Sequence, residues 1–264
     1  MFKSVKLKIS KRTIAIFSAL IIAMAAISLF NSRNDVAIAQ IESKVSGADV
    51  MLDTTMYLPK TLPAPAVLIA HGFGGNKDSE RDLAEQLVRN GYVAFTYSAR
   101  GFGNSTGLIT MNAPDKEIAD ASKLVDYLSS RKEVAKDKTG SAIIGVTGGS
   151  YGGALSLMLA ATDDRIKAVS ADITWANLNQ ALFPQNAFGN NGNPVGAGPF
   201  KKIWAGTFFS FTALQNSYLG QCGNFAEEWC AAFQSAVTNG APDSAQIKLM
   251  DRPFKYSSNQ SIVA

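Results

Sequence analysis

Ile143-Ile144-Gly145-Val146-Thr147-Gly148-Gly149-Ser150-Tyr151-Gly152-Gly153-Ala154 starts as an apolar, β-prone run, passes through G-x-S-x-G, and continues into Ala154, Leu157, Met158 and Ala161 at helical spacing. A serine on a sharp strand-to-helix turn needs glycine two positions before it and two after, because side chains there would strike the crossing strand and helix. Gly148 and Gly152 meet that need, and Gly149 and Gly153 are expected to relax the turn further. The same turn sets the Ser150 hydroxyl at a helix N-terminus, where free backbone N–H groups and the helix dipole stabilise developing negative charge. Ser150 is therefore the candidate nucleophile, on a nucleophile elbow. An ordinary glycine-rich strand-to-helix turn is the plainer alternative, and the flanking segments weigh against it.

Upstream, Ala66-Val67-Leu68-Ile69-Ala70 is a continuous apolar run, the pattern of a strand covered on both faces. It ends in His71-Gly72-Phe73-Gly74-Gly75, a glycine-rich loop whose backbone N–H groups can approach a ligand closely. The amides of Phe73 and Tyr151 are the expected oxyanion donors. His71 is the chain's one histidine; together with Gly72 it is expected to serve the loop's architecture, bracing it through ring hydrogen bonds. Val50 to Leu58 reads as a strand, Ser79-Glu80-Arg81-Asp82 resembles a capping box ahead of a helix that stops at Gly91, and Tyr92 to Tyr97 is the next apolar strand. Pro114 opens a helix with Ile118, Ala121, Leu124, Val125 and Leu128 on one face, and Ile166 to Ile173 reads as another buried strand. Such alternation predicts an α/β fold with a mostly parallel sheet and helices on both faces.

The succession of strand, HGFGG, helix, strand, Ser98 to Gly107, helix and GVTGGSYGG resembles the α/β-hydrolase fold. It resembles more narrowly the X-Pro dipeptidyl-peptidase and cocaine-esterase-like branch of serine hydrolases. Leu52-Asp53-Thr54-Thr55-Met56-Tyr57-Leu58-Pro59, Arg100-Gly101-x-Gly103-x-Ser105 and Gly149-Ser150-Tyr151-Gly152-Gly153 carry the narrower likeness. It covers residues 45–180 well and 181–250 loosely, where such proteins place a helical cap. The resemblance implies a small-molecule ester, or a peptide with penultimate proline, hydrolysed without a cofactor through a Ser150 acyl-enzyme.

One departure matters. The triad of this fold runs serine, acid, histidine along the chain, and no histidine follows Ser150. The last strands, with the acid and base, are expected beyond Ala264, so the sequence reads as a C-terminally truncated hydrolase, inactive as it stands. The alternative is a non-catalytic exported binding protein on a degenerate hydrolase fold. Asp163, Asp164, Asp172, Asp243 and Asp251 follow the serine, and without a histidine to orient none receives a triad role.

Composition supports one large core or a core plus a cap: 47% of the 264 residues are hydrophobic and 17% charged, which argues against a disordered chain. Six of the 25 basic residues and one of the 21 acidic ones lie in the first 39 positions, so the remainder carries 19 basic against 20 acidic. The net charge of +4 therefore implies no nucleic-acid partner. Residues 1–39 combine a lysine-rich start, an apolar run from Thr13 to Phe30, and Ala37-Ile38-Ala39 before Gln40, the small-x-small pattern of an export signal. Cleavage would start the mature chain near Gln40; an uncleaved segment would anchor it in a membrane. Either outcome places the body outside the cytoplasm, where Cys222 and Cys230, eight apart, can close a small disulfide loop instead of remaining thiols. Two cysteines and one histidine make no metal ligand set. Residues 40–173 form the expected hydrolase core, and 174–264 a cap-like region with a polar tail. Ile203 to Phe211, strongly aromatic, either lines an apolar acyl or prolyl pocket or packs between cap helices.

Overall fold

The computed structural model describes residues 21–22, 24, 38–175, 178–182, 201–215 and 222–239. The chain divides into two units, Met1–Ile38 and Ala39–Ala264. In the first, Ile21, Ile22 and Met24 are helical and exposed. The remainder of the expected apolar run, the lysine-rich start and Ala37 lie outside the described residues. Among the described residues no helix is long and apolar enough to cross a membrane.

The second unit is built on six strands: β1 (Ala39–Ser46), β2 (Met51–Leu58), β3 (Ala66–Ala70), β4 (Val93–Tyr97), β5 (Ile144–Gly149) and β6 (Ile166–Asp172), in the order β1-β2-β4-β3-β5-β6. β1 and β2 run antiparallel to their neighbours, whereas β4, β3, β5 and β6 are parallel. Every residue of β4 and four of five in β3 are buried, so both faces of the sheet's centre are covered. The helices are α1 (Arg81–Arg89) on β4 and β2, α2 (Ala119–Ser130) against β1, and α3 (Tyr151–Thr162) on β5, β6 and β3. Three further helices follow: α4 (Leu178–Leu182), α5 (Lys202–Gln215) and α6 (Glu227–Asn239).

Four local features differ from the sequence reading. β1 pairs along its whole length with β2 and had no counterpart in that reading, because its Gln40, Glu42 and Lys44 dilute the apolar signal to Ile41 and Val45. The capping box lies three residues earlier than Ser79: Asn76 accepts from the Asp78 amide at 2.8 Å, while Ser79 Oγ accepts from the Asn76 amide at 3.0 Å. Pro114 opens a π turn (Pro114–Ile118) that precedes α2. β6 is paired with β5 but is not buried: Lys167 to Asp172 are all exposed, and Ile173 is 82% exposed. An apolar run states what could be buried; whether a layer covers it is a tertiary matter.

Candidate active site

Ser150 stands between the end of β5 and the first turn of α3 with φ 53° and ψ −114°. A non-glycine residue with positive φ stores strain, and such strain persists where the surroundings over-determine it. Here they do. The Ser150 amide donates to the Asp172 carbonyl at 2.9 Å, its carbonyl accepts from the Ala154 amide at 3.1 Å and from Thr174 Oγ1 at 2.8 Å. The glycines at positions −2 and +2 are where β3, β5 and α3 touch. A Cβ on Gly148 would lie 2.6 Å from both the Ala70 carbonyl oxygen and the Gly152 carbonyl carbon, and a Cβ on Gly152 would overlap the Ala70 carbonyl. Gly149 differs from expectation: a Cβ there would meet nothing closer than 4.0 Å, so the turn does not require glycine at that position.

The His71–Gly75 loop leaves the end of β3 beside this turn, with a Cβ on Gly72 reaching within 3.9 Å of the Gly149 carbonyl. His71 is 2% exposed and both ring nitrogens are engaged. Nε2 accepts from the Ala99 amide at 2.9 Å, which places the proton on Nδ1, and Nδ1 donates to the Gly72 carbonyl at 2.7 Å. Burial holds its pKa down to about 4, against the raising effect of the Gly72 contact, so the ring is neutral at physiological pH. A neutral imidazole whose acceptor nitrogen is occupied cannot take a proton from Ser150. The ring ties the β3 loop to the β4 loop.

The backbone of this loop turns through a Gly75 amide to Gly72 carbonyl bond of 3.0 Å. The Phe73 amide at its tip donates to no acceptor among the described residues, and Tyr151, as first residue of α3, has an amide with no partner inside the helix. Among the described residues, two N–H groups without an acceptor thus flank the serine turn. Their side chains are packed: the Phe73 ring meets Tyr151 at 5.7 Å and Phe102 at 5.2 Å, both edge-on.

A second layer holds Tyr151, and sequence reasoning missed it. Glu117, 1% exposed, accepts from the amides of Thr110 (2.6 Å) and Ala113 (2.9 Å), from Thr110 Oγ1 (2.5 Å) and from the Tyr151 hydroxyl (3.2 Å). Burial pushes its carboxyl pKa up, opposed by the Thr110 and Ala113 bonds. Met111 and Asn112 have φ of 55° and 59°, and the Asn112 amide group donates to the Tyr151 carbonyl at 3.0 Å. The only sequence signal was an acidic residue in the first turn after Pro114. Arg100, from the Ser98–Gly107 turn, is likewise buried. It pairs with Asp120 through two bonds of 2.7 and 2.9 Å and with Asp49 at 2.6 Å. Two of the acids after Ser150 stand apart from this layer: Asp163 binds Ser122 and Arg165 at the end of α3, and exposed Asp172 closes β6; Asp243 and Asp251 lie outside the described residues.

Cys222 and Cys230 are joined by a disulfide with Cα atoms 5.6 Å apart, linking the segment before α6 to the helix. Among the described residues no group of His, Cys, Asp and Glu is arranged to hold a metal ion.

The chain is 30% identical over 141 residues to the quorum-quenching protein AidA of Acinetobacter baumannii and 30% identical over 129 residues to the putative hydrolase YtaP of Bacillus subtilis. These alignments take in 52% and 40% of this chain but 45% and 42% of the relatives, so the chain spans less than half their lengths. A solved hypothetical protein, PA2218 from Pseudomonas aeruginosa, superposes with a TM-score of 0.50 at 18% identity, covering 86% of this chain and 73% of that one, a likeness of fold alone. The family model of the X-Pro dipeptidyl-peptidases matches residues 47–208, from the turn after β1 through the serine turn and into α5. More than half of the sequence is inside that match, and the chain belongs to the X-Pro dipeptidyl-peptidase (S15) family of α/β-hydrolases.

Proposed function

We propose that the chain carries the nucleophile and oxyanion half of a serine hydrolase that transfers acyl groups from esters or X-Pro peptides to water. The observation that carries this reading is the strained Ser150, at φ 53° between glycines that β3 leaves no room to replace. Its Oγ would attack the substrate carbonyl carbon, and the Phe73 and Tyr151 amides would hold the resulting oxyanion. The proton of Ser150 needs a base. The single imidazole in these 264 residues is His71, already engaged at both nitrogens. Without a base, oxyanion hole and binding together supply only about 10³ to 10⁴-fold acceleration over water. Turnover of aryl esters and X-Pro anilides by this chain alone should therefore be far below that of a competent serine hydrolase.

A fluorophosphonate probe tests the nucleophile, since it reports a reactive serine without requiring turnover. Slow labelling of the native chain and none of Ser150→Ala is expected; equal labelling of both would discard the nucleophile. Fast ester turnover that disappears in Ser150→Ala would mean that a base other than His71 acts. The second reading, a non-catalytic binding protein, is favoured by the fully engaged His71. It is selected if Ser150 does not label while small esters still bind.

The same proposal places the protein outside the cytoplasm, with residues 174–264 as cap and tail over the 40–173 core. The Cys222–Cys230 disulfide supports an oxidising compartment. N-terminal sequencing of secreted protein should begin near Gln40, and an intact Met1 in the membrane fraction would indicate an anchor instead.

A further inference from the structure

A small cavity, open to solvent at its mouth, lies among α4, α5, α6 and the Met111 segment. Leu182, Phe208 and Trp229 line it together with Met111, Phe225 and Ala236, and among the described residues no polar atom faces it. Two of its walls lead back to the serine turn. Met111 adjoins Asn112, which bonds the Tyr151 carbonyl, and the Phe225 ring stacks on Phe73 at 5.7 Å. Phe208 meets the same Phe73 ring at 4.9 Å. Phe73 therefore touches the cavity wall through Phe208 and Phe225, and the elbow through Tyr151, while its own amide is one of the two N–H groups beside Ser150 without an acceptor among the described residues.

Void chemistry selects the occupant. Hydrocarbon gains roughly in proportion to the apolar area it removes from water, whereas an ammonium or unpaired amide entering such a space costs several kcal/mol. The free amino group of an X-Pro dipeptide would find no carboxylate among the described lining residues, and Glu117, the buried acid six residues from Met111, is already engaged by Thr110, Ala113 and Tyr151.

We infer that this cavity receives the uncharged aliphatic or aromatic acyl group of an ester, and that the Phe73 ring is the specificity-determining partition between it and Ser150. The inference rests on Ser150 being the acyl-accepting nucleophile. It makes the chain selective for apolar acyl esters over X-Pro peptides.

Binding to the Ser150→Ala chain, which cannot be acylated, is the test. Calorimetric titration with methyl butanoate, methyl hexanoate and methyl octanoate should show affinity rising about fourfold per methylene until the cavity is full. Alanyl-proline methyl ester should give no measurable binding. Adding Ala236→Phe, which fills the void, should weaken methyl octanoate binding at least tenfold with the circular dichroism unchanged. If that variant does not fold, Phe73→Ala and Phe208→Ala serve instead: both enlarge the space and should move the plateau to longer chains. A flat chain-length series, tighter binding of the dipeptide ester, or an unaltered series in a folded variant overturns the inference. Fluorophosphonate labelling of the native chain separates the two claims, because a flat series with Ser150 still labelled sinks only the cavity assignment, whereas absent labelling sinks the nucleophile and with it the acyl-group assignment, a rising series then showing apolar binding alone.

Discussion

Gly152→Ala should unfold the serine turn more severely than any other single-methyl change near it. The added Cβ would lie 2.6 Å from the Ala70 carbonyl carbon and 2.8 Å from the His71 carbonyl oxygen, with the Ala70 oxygen closer still. All three are backbone atoms at the end of β3, so no rotamer change relieves the overlap. Restoring ordinary contact requires α3 to move away from β3 by roughly an ångström, in a core that tolerates little displacement. Overpacking costs about 1–3 kcal/mol when side chains can yield and more when backbone must. The better helix propensity of alanine returns only about 1 kcal/mol. A net loss of about 3 kcal/mol would lower Tm by roughly 10 °C in a domain of this size. Gly149→Ala is the matched control: its nearest neighbours are 4.0 Å away, and a change within about 0.5 kcal/mol is expected. Thermal unfolding followed by circular dichroism compares the two. Equal stability of Gly152→Ala and Gly149→Ala would refute the claim that β3 and α3 meet at this residue.

Other expectations concern charge and crosslinking. His71 has a folded pKa of about 4, below its unfolded value near 6.5, so its contribution is complete above pH 6.5 and is lost as pH falls towards 4, amounting to about 3 kcal/mol. Glu117, pushed up by burial, titrates in the opposite sense, so the imidazole is isolated by subtracting the urea-unfolding profile of His71→Gln from that of the native chain; parallel profiles between pH 7 and 4.5 would contradict the assignment. Asp120→Ala leaves Arg100 buried with only Asp49 and should cost about 3–5 kcal/mol in urea unfolding, whereas removing the half-exposed Asp49 should cost under about 1 kcal/mol. Comparable losses would mean that burial does not set the strength of these pairs. Intact mass after alkylation without reductant should show no added label on Cys222 or Cys230, and two labels would mean free thiols.

The nucleophile turn was legible because its requirements are local. Glycine at 148 and 152, an apolar strand before them and a helix after them describe one chain segment meeting its own neighbours, and β3 announced itself as an unbroken apolar run and β4 as one interrupted only by Thr96. The HGFGG loop was legible for the same reason. Long-range pairings were not. Glu117 reaches Tyr151 across 34 positions, Arg100 reaches Asp49 across 51, and His71 receives the Ala99 amide across 28; no periodicity or motif encodes such partners, since each depends on where the sheet order brings its loops. β6 makes the same point from the opposite side: its pattern suggested a buried strand, yet Lys167 to Asp172 are exposed. The cavity is the plainest case. Met111, Leu182, Phe208 and Trp229 are ordinary apolar residues in sequence, and only the packing of α4, α5 and α6 against the Met111 segment turns them into one wall. Local sterics and hydrophobic pattern are written residue by residue, whereas a space between elements is defined by atoms distant in the chain, and tertiary structure alone brings them together.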